Sequence, residues 1–241
     1  GAGVLTVIVE VVGQELQVPA ADIQLKQADS TIVPSDGGVG GSRATRVYGN
    51  ASFEAGTKAR EELFLFAAQA LEVDPKELST DMGEIFHKPS KRKMSFAEVV
   101  KFKGAPIYVR GYYKSSEKSH DASVSAQIAE VHVDPETGQV TLRSMVSAHS
   151  TGKVINPLMH QGQVEGGIVF GLGYALTEEI LFDNGKITTS NFGEFKIPNI
   201  TDIPPLKTHV AESVPAGPGP YNSLAIGEVA NTPTAAAVAN A

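Results

Sequence analysis

Cysteine is absent from all 241 residues, which removes disulfides, thiolate metal ligands and a cysteine nucleophile from this chain. Long apolar runs are missing as well. None approaches the roughly 20 residues that a bilayer-spanning helix needs, and no charged start leads into an apolar stretch with a cleavage site. No membrane partner is expected. A surplus of positive charge is the third absence: the formal charge is -7, and Lys and Arg gather in no long stripe. Nucleic acid is held by clustered cations, so no nucleic-acid partner is expected either. What remains, 41% hydrophobic and 20% charged, is the composition of a globular chain, long enough for one large domain or two intimate lobes. The chain opens Gly1-Ala2-Gly3 without an initiator Met and stops at Ala241 inside a helical Ala/Val run. Both ends read as cut, and a piece of a longer polypeptide is expected.

Val4, Val7, Ile8, Val11, Val12 and Leu16 recur at helical spacing and predict an amphipathic helix over 4–17, ended by Pro19. A short strand is expected from Ile23 to Ala28. The glycine-rich loop from Pro34 to Ser42 then leads into a long helix ending near Leu71. Asp74 to His120 reads as mixed, with a solvated loop from Lys88 to Lys93 and a weak strand from Ile107 to Tyr113. From Ser123 long strands take over: Ala126, Ile128, Val131 and Val133, then Val140, Leu142 and Met145, flank the turn Asp134-Pro135-Glu136-Thr137-Gly138. A second helix is expected from about Asn156 to Glu178, and a hairpin at Asp183-Asn184-Gly185. A loop from Pro215 to Pro220 precedes a last helix, capped by Asn231 or Thr232 with Pro233 in its first turn. This order predicts two α+β lobes, roughly 1–120 and 121–241.

Three segments stand out chemically. Gly37 to Ser42 holds four glycines in six residues ahead of a helix. Converging N–H groups and the partial positive charge of a helix start make an anion cradle there, with a plain flexible turn as the alternative. The Gly-Lys-Ser/Thr ending of a P-loop and the dinucleotide spacing are both lacking. The second segment is Asn156-Pro157, then Gly162-Gln163-Val164-Glu165-Gly166-Gly167 and Gly171-Leu172-Gly173. On a helical wheel Val164, Ile168, Leu172 and Leu176 share a core stripe, while Gly162, Gly166 and Gly173 form another with Gln163 beside it. Each interior glycine costs about 1 kcal/mol against alanine. Either a flat ligand comes close or the helix packs tightly on a neighbour, and spacing alone leaves both open. The third segment is Ser223-Leu224-Ala225-Ile226-Gly227-Glu228, a lone carboxylate after an apolar stretch. By itself Glu228 reads as favouring a helix start, worth about 0.3–1 kcal/mol, with catalysis as the other reading. His132, His149 and His160 lack metal-ligand spacing and read as strand or surface histidines, so no metal ligand is assigned to this chain.

Taken in order and spacing, these segments resemble the molybdenum hydroxylases, the xanthine dehydrogenase and aldehyde oxidase family. The resemblance rests on Gly152, Val154-Ile155-Asn156-Pro157, the Gly162–Gly167 run, Gly171-Leu172-Gly173, Thr177-Glu178-Glu179, Lys196-Ile197-Pro198 and Ile226-Gly227-Glu228. Upstream, Val33-Pro34, Gly40-Gly41-Ser42 and Gly49-Asn50-Ala51 are similar to the family's earlier pterin-binding segment, and Gly1-Ala2-Gly3 to the start of its pterin motif. The match covers nearly the whole chain and is weakest from Asp74 to His120. It implies the second molybdopterin-binding domain of the large subunit, an α+β domain of two lobes with mixed sheets and long glycine-containing helices.

What the resemblance implies for function is half of a cofactor site. A molybdopterin, in mononucleotide or dinucleotide form, would lie between this chain and an upstream molybdopterin-binding domain. Gly40, Gly41 and Ser42 would hold the pterin or its phosphate, Gln163 would hydrogen-bond near the pyran or pterin oxygens, and Gly227 would sit beside the cofactor. Glu228 would be the general base next to the metal, in oxidative hydroxylation of a C–H carbon of an aldehyde or N-heteroaromatic using water. Gly1, Ala2 and Gly3 would make the first pterin contact, although many members carry Gln where this chain has Ala2. Electrons would leave through 2Fe-2S clusters and FAD on partner domains or subunits, and a cytoplasmic, multi-subunit enzyme is implied. The alternative is an inactive binding or scaffolding module that needs its partner domain to hold cofactor.

Overall fold

The computed structural model describes residues 3–26, 29, 31, 33, 37–115, 122–211 and 217–241. The chain divides into two compact units, Gly3–Val39 with Ala44–Lys118, and Gly40–Arg43 with Ser119–Ala241. Mixed helices and sheets build both. The glycine loop preceding the first long helix therefore belongs in part to the second unit.

In the first unit, helix α1 (Val4–Leu16) starts from Gly3 in a left-handed conformation and ends at Gln17. A π-helical turn, Thr45–Gly49, runs into α2 (Asn50–Leu71). The two helices meet at Gly56, where a Cβ would sit 2.6 Å from that of Glu15, so only glycine allows this approach. The buried Glu15 carboxylate is matched by Arg60 Nη1 at 2.9 Å and by the Thr57 hydroxyl at 3.0 Å. Strands β1 (Leu78–Asp81), β2 (Glu84–His87) and β3 (Lys93–Ser95) form an antiparallel sheet. Helix α3 (Phe96–Lys103) follows, its start fixed by a reciprocal Ser95–Glu98 capping box. Leu63, Ala67, Ala68, Leu78, Ile85 and Val99 make the core of this unit.

Among the described residues of this unit, two expected strands are absent. Ile23 to Lys26 joins no sheet, following a 3₁₀ turn at Ala20–Asp22, and positions 27 and 28 lie outside the described residues. Ile107–Tyr113 is also outside any sheet because its backbone is taken up by α2 side chains. Lys58 Nζ donates to the Arg110 carbonyl at 3.1 Å, and the Tyr112 N–H donates to the Glu54 carboxylate. Periodicity reads extension but not the partner, and here the partner is a helix.

In the second unit β4 (Val124–Val133) and β5 (Val140–Ser150) form the expected antiparallel hairpin. Asp134 Oδ1 accepts the Glu136 and Thr137 N–H groups at 2.8 and 3.1 Å, which closes the turn. Helix α4 (Pro157–Leu176) starts at Asn156, whose Oδ1 accepts the Met159 N–H at 2.9 Å, with Pro157 in the first position. A small hairpin of β6 (Phe182–Asp183) and β7 (Lys186–Ile187), a short helix α5 (Phe192–Phe195) and strand β8 (Leu206–Val210) follow. Strand β8 pairs parallel to β5, which makes the sheet mixed. Helix α6 (Thr234–Ala239) closes the chain. Met145, Val164, Ile168, Leu172, Ala230 and Val238 form the core. Leu176, expected in that stripe, is instead 41% exposed at the end of α4.

The last helix differs from expectation in its cap. Pro233 is the residue before α6 rather than in its first turn, and no side chain caps it. Asn231 and Thr232 are engaged elsewhere: Asn231 Oδ1 accepts the Tyr174 hydroxyl at 3.2 Å, and the Thr232 hydroxyl donates to the Glu228 carbonyl at 3.0 Å.

Candidate functional site

The segment Ser223–Ala230 runs as an irregular strand and turn bound on both sides. Ser223 bridges Gly152, and the Leu224 N–H donates to the Thr151 carbonyl at 2.9 Å. On the other side a polar ladder reaches across from β4 and the residue before it. Ser123 donates to the Ala225 carbonyl, Ser125 to the Val229 carbonyl at 2.8 Å, and the Gln127 amide to the Ala230 carbonyl at 2.6 Å. Thr234 completes it by donating to Gln127 Oε1 at 2.7 Å. Period-2 alternation puts Ser123, Ser125 and Gln127 on one strand face, and each donates to a backbone carbonyl of the opposing segment, that of Ala230 accepting the Thr234 hydroxyl as well at 2.8 Å.

That ladder was missed by sequence reasoning, which followed the apolar residues of β4. Ile128 proves 71% exposed, and the inward face carries Ser125 and Gln127 instead. The available signal was the polar alternation Ser-x-Ser-x-Gln.

Held in this way, Glu228 is exposed on a turn, and its Oε2 accepts a hydrogen bond from the Ser42 hydroxyl at 2.5 Å. Gly227 lies against Ser42 too; a Cβ there would stand 3.1 Å from Ser42 Oγ. The fold thus joins the glycine loop to the Gly-Glu turn although Ser42 and Glu228 are 186 residues apart in sequence. Gly40, Gly41, Ser42, Gln163, Gly227 and Glu228 all belong to the second unit. Gly3 lies in the first, and Gly1 and Ala2 lie outside the described residues.

The glycines of α4 separate into two kinds. A Cβ on Gly167 would press on Ala230 at 3.0 Å, one on Gly171 would strike Thr234, and one on Gly173 would strike Glu178. These three are packing glycines, so Gly173 leaves the stripe expected for it. At Gly162 and Gly166 a Cβ would meet nothing within 4 Å, and the same is true of Gly40 and Gly41 in the loop. Interior helical glycines that no neighbour requires leave bare backbone for close approach of something flat.

His149 is a strand histidine as expected, whereas His160 lies on helix α4 and not on a strand. His149 is fully buried on β5, with Nε2 3.1 Å from the Ser147 hydroxyl, and His160 Nε2 is 2.8 Å from the Thr151 hydroxyl. Burial lowers the His149 pKa below the ordinary histidine value, offset in part by the His209 backbone. Burial likewise lowers that of His160, with the charge of His149 adding to it. His132 is exposed on β4. Among the described residues no group of three or more His, Asp or Glu is placed to hold a metal ion.

A family model described as the molybdopterin cofactor-binding domain matches residues 1–204. The chain belongs to that family. This molybdopterin cofactor-binding domain is 28% identical, over 100% of its length, to the xanthine dehydrogenase molybdenum-binding subunit of Escherichia coli, of which it covers 33%. It is 27% identical over 100% of its length to the 6-hydroxypseudooxynicotine dehydrogenase complex subunit gamma of Paenarthrobacter nicotinovorans, covering 32% of that protein. Among solved structures it is similar to the reconstituted CO dehydrogenase from Oligotropha carboxidovorans, with a TM-score of 0.87, 25% identity, and coverage of 100% of this chain and 31% of that one. Quinoline 2-oxidoreductase from Pseudomonas putida 86 matches at a TM-score of 0.84 and 26% identity, over 99% of this chain and 31% of its own. The domain spans about a third of the length of these relatives.

The residues present fit a pterin cofactor. Gly40 and Gly41 offer unobstructed backbone in an exposed loop, and Gly162 and Gly166 offer a bare helix surface beside the half-buried Gln163 amide. Backbone N–H groups and an uncharged amide suit phosphate and pterin oxygens.

Proposed function

We propose that this domain supplies one wall of a molybdenum-hydroxylase centre and that Glu228 is its general base. The observation that carries the reading is the hydrogen bond between Ser42 and Glu228, which unites the glycine loop with the Gly-Glu turn. When bound, the molybdenum cofactor supplies Lewis-acid and two-electron redox chemistry. Gly40 and Gly41 give N–H groups to its phosphate or pterin oxygens, while Gly162 and Gly166 let a flat ring lie close. Gln163 hydrogen-bonds to ring oxygens, and Gly227 keeps the turn free of a side chain beside the cofactor. Glu228 takes up a proton at one carboxylate oxygen while the polar ladder from β4 keeps its backbone fixed.

The whole enzyme, on this reading, uses water to hydroxylate a C–H carbon of an aldehyde or N-heteroaromatic. It is cytoplasmic and assembles with an upstream molybdopterin-binding domain. Its iron–sulfur clusters and flavin lie on partners, since a chain without cysteine has no thiolates for a cluster. Glu228→Gln in the intact enzyme keeps its molybdenum but loses at least about a hundredfold in turnover, in the range of general acid–base catalysis. Turnover near that of the wild type would overturn the assignment.

A further inference from the structure

We infer that Ser42 is a positioning residue, whose hydroxyl aims the Glu228 carboxylate. This rests on the proposed role of Glu228 as base. Three observations lead to it. The backbone around Glu228 is already fixed, through the carbonyls of Ala225, Val229 and Ala230. Its side chain is exposed, and a free glutamate would spread over several rotamers. The Ser42 hydroxyl, 2.5 Å from Oε2, selects one of them and leaves Oε1 to receive a proton.

The second observation is conformational. Ser42 has φ 55°, in the left-handed region that glycine occupies freely and serine does not, directly after Gly41 at φ 59°. A third glycine would suit this backbone better. Strain of this kind, held at a site where the side chain makes a specific contact, marks a side chain kept for function. The third observation is that residue 227 is glycine: a side chain there would crowd the Ser42 hydroxyl. Loop, turn and hydroxyl together fix the direction of the carboxylate, which backbone anchoring alone does not.

The test pairs two variants in the intact molybdenum enzyme. Ser42→Gly removes the hydroxyl and relaxes the backbone; Ser42→Thr keeps the hydroxyl and adds strain, because a β-branched residue fits the left-handed region poorly. A purely structural Ser42 would make the relaxed variant the healthier enzyme. The positioning role predicts the reverse order. Ser42→Gly melts at or above the wild-type temperature and keeps its molybdenum, yet its kcat falls about ten- to a hundredfold with KM within about twofold. Ser42→Thr melts lower and regains most of the kcat. A crystal structure of the Ser42→Gly enzyme shows Glu228 turned away or in several rotamers. Two results would overturn the inference: a Ser42→Gly enzyme with kcat near wild type and Glu228 unmoved, or molybdenum lost in parallel with turnover, which would assign the hydroxyl to cofactor retention. Should Glu228→Gln prove active, the base reading falls, whereas the position of Glu228 in the Ser42→Gly crystal still decides whether Ser42 aims it.

Discussion

His149 is the buried residue with the clearest consequence for stability. Its ring lies under the sheet with Nε2 near Ser147, while Nδ1 has no well-formed hydrogen bond among the described residues. Burial pushes the pKa of both His149 and His160 below the ordinary value of 6.5. The unfolded chain therefore binds more protons than the folded one just below that value, so stability is full above about pH 6.5 and is lost as pH falls toward the folded pKa values. Melting temperature should drop between pH 7 and pH 5, and His160→Asn should flatten that dependence; a flat wild-type profile would sink the argument. The carboxylates held low by hydrogen bonds, such as Asp134 and Glu98, lose their contribution only at more acidic pH and do not confuse this window. At this scale the sequence named Glu228 and Ser42 but not their contact. No rule of spacing links residues so far apart.

Among the elements, α4 carries two opposite demands in one run of glycines. Gly171→Ala must drive a methyl into Thr234, an overpacking that costs about 1–3 kcal/mol. Gly162→Ala and Gly166→Ala meet open space, so each should stabilise the helix by about 0.5–1 kcal/mol while weakening cofactor retention. Chemical denaturation and molybdenum content of the three variants separate these signs. Loss of stability at Gly162 without loss of metal would refute the reading of these glycines as a bare surface for the cofactor. Helical periodicity placed the glycines on α4 and the start at Asn156. It could not tell packed glycines from open ones, because the neighbours of Gly167 and Gly171 are Ala230 and Thr234, far along the chain, and Gly173 meets Glu178 and Pro198 only where the chain folds back after α4. For the same reason Ile107–Tyr113 passed for a strand, and Asn231 for a cap, until Glu54, Lys58 and Tyr174 were seen to take their polar groups.

At the scale of the whole molecule, the domain spans about a third of its relatives' length, and on the proposed reading it supplies one wall of the cofactor site. Expressed alone, it should fold yet carry no stoichiometric molybdenum. Metal analysis checks this directly, and one molybdenum with one pterin per chain would mean a self-sufficient site. No helix among the described residues is long and apolar enough to cross a membrane.

Local chemistry determined what local chemistry can: the hairpin closed by Asp134, the helix opened by Asn156-Pro157, the absence of thiolate chemistry, and the ordered glycine segments that carry the family. Each depends on residues within a few positions of one another. The tertiary structure alone decided which glycines are open, which β4 residues face inward, and that Ser42 reaches Glu228. Those outcomes depend on chain closure over separations from 63 residues, between Gly171 and Thr234, to 186, between Ser42 and Glu228, and a side chain's identity does not encode which distant backbone will arrive beside it.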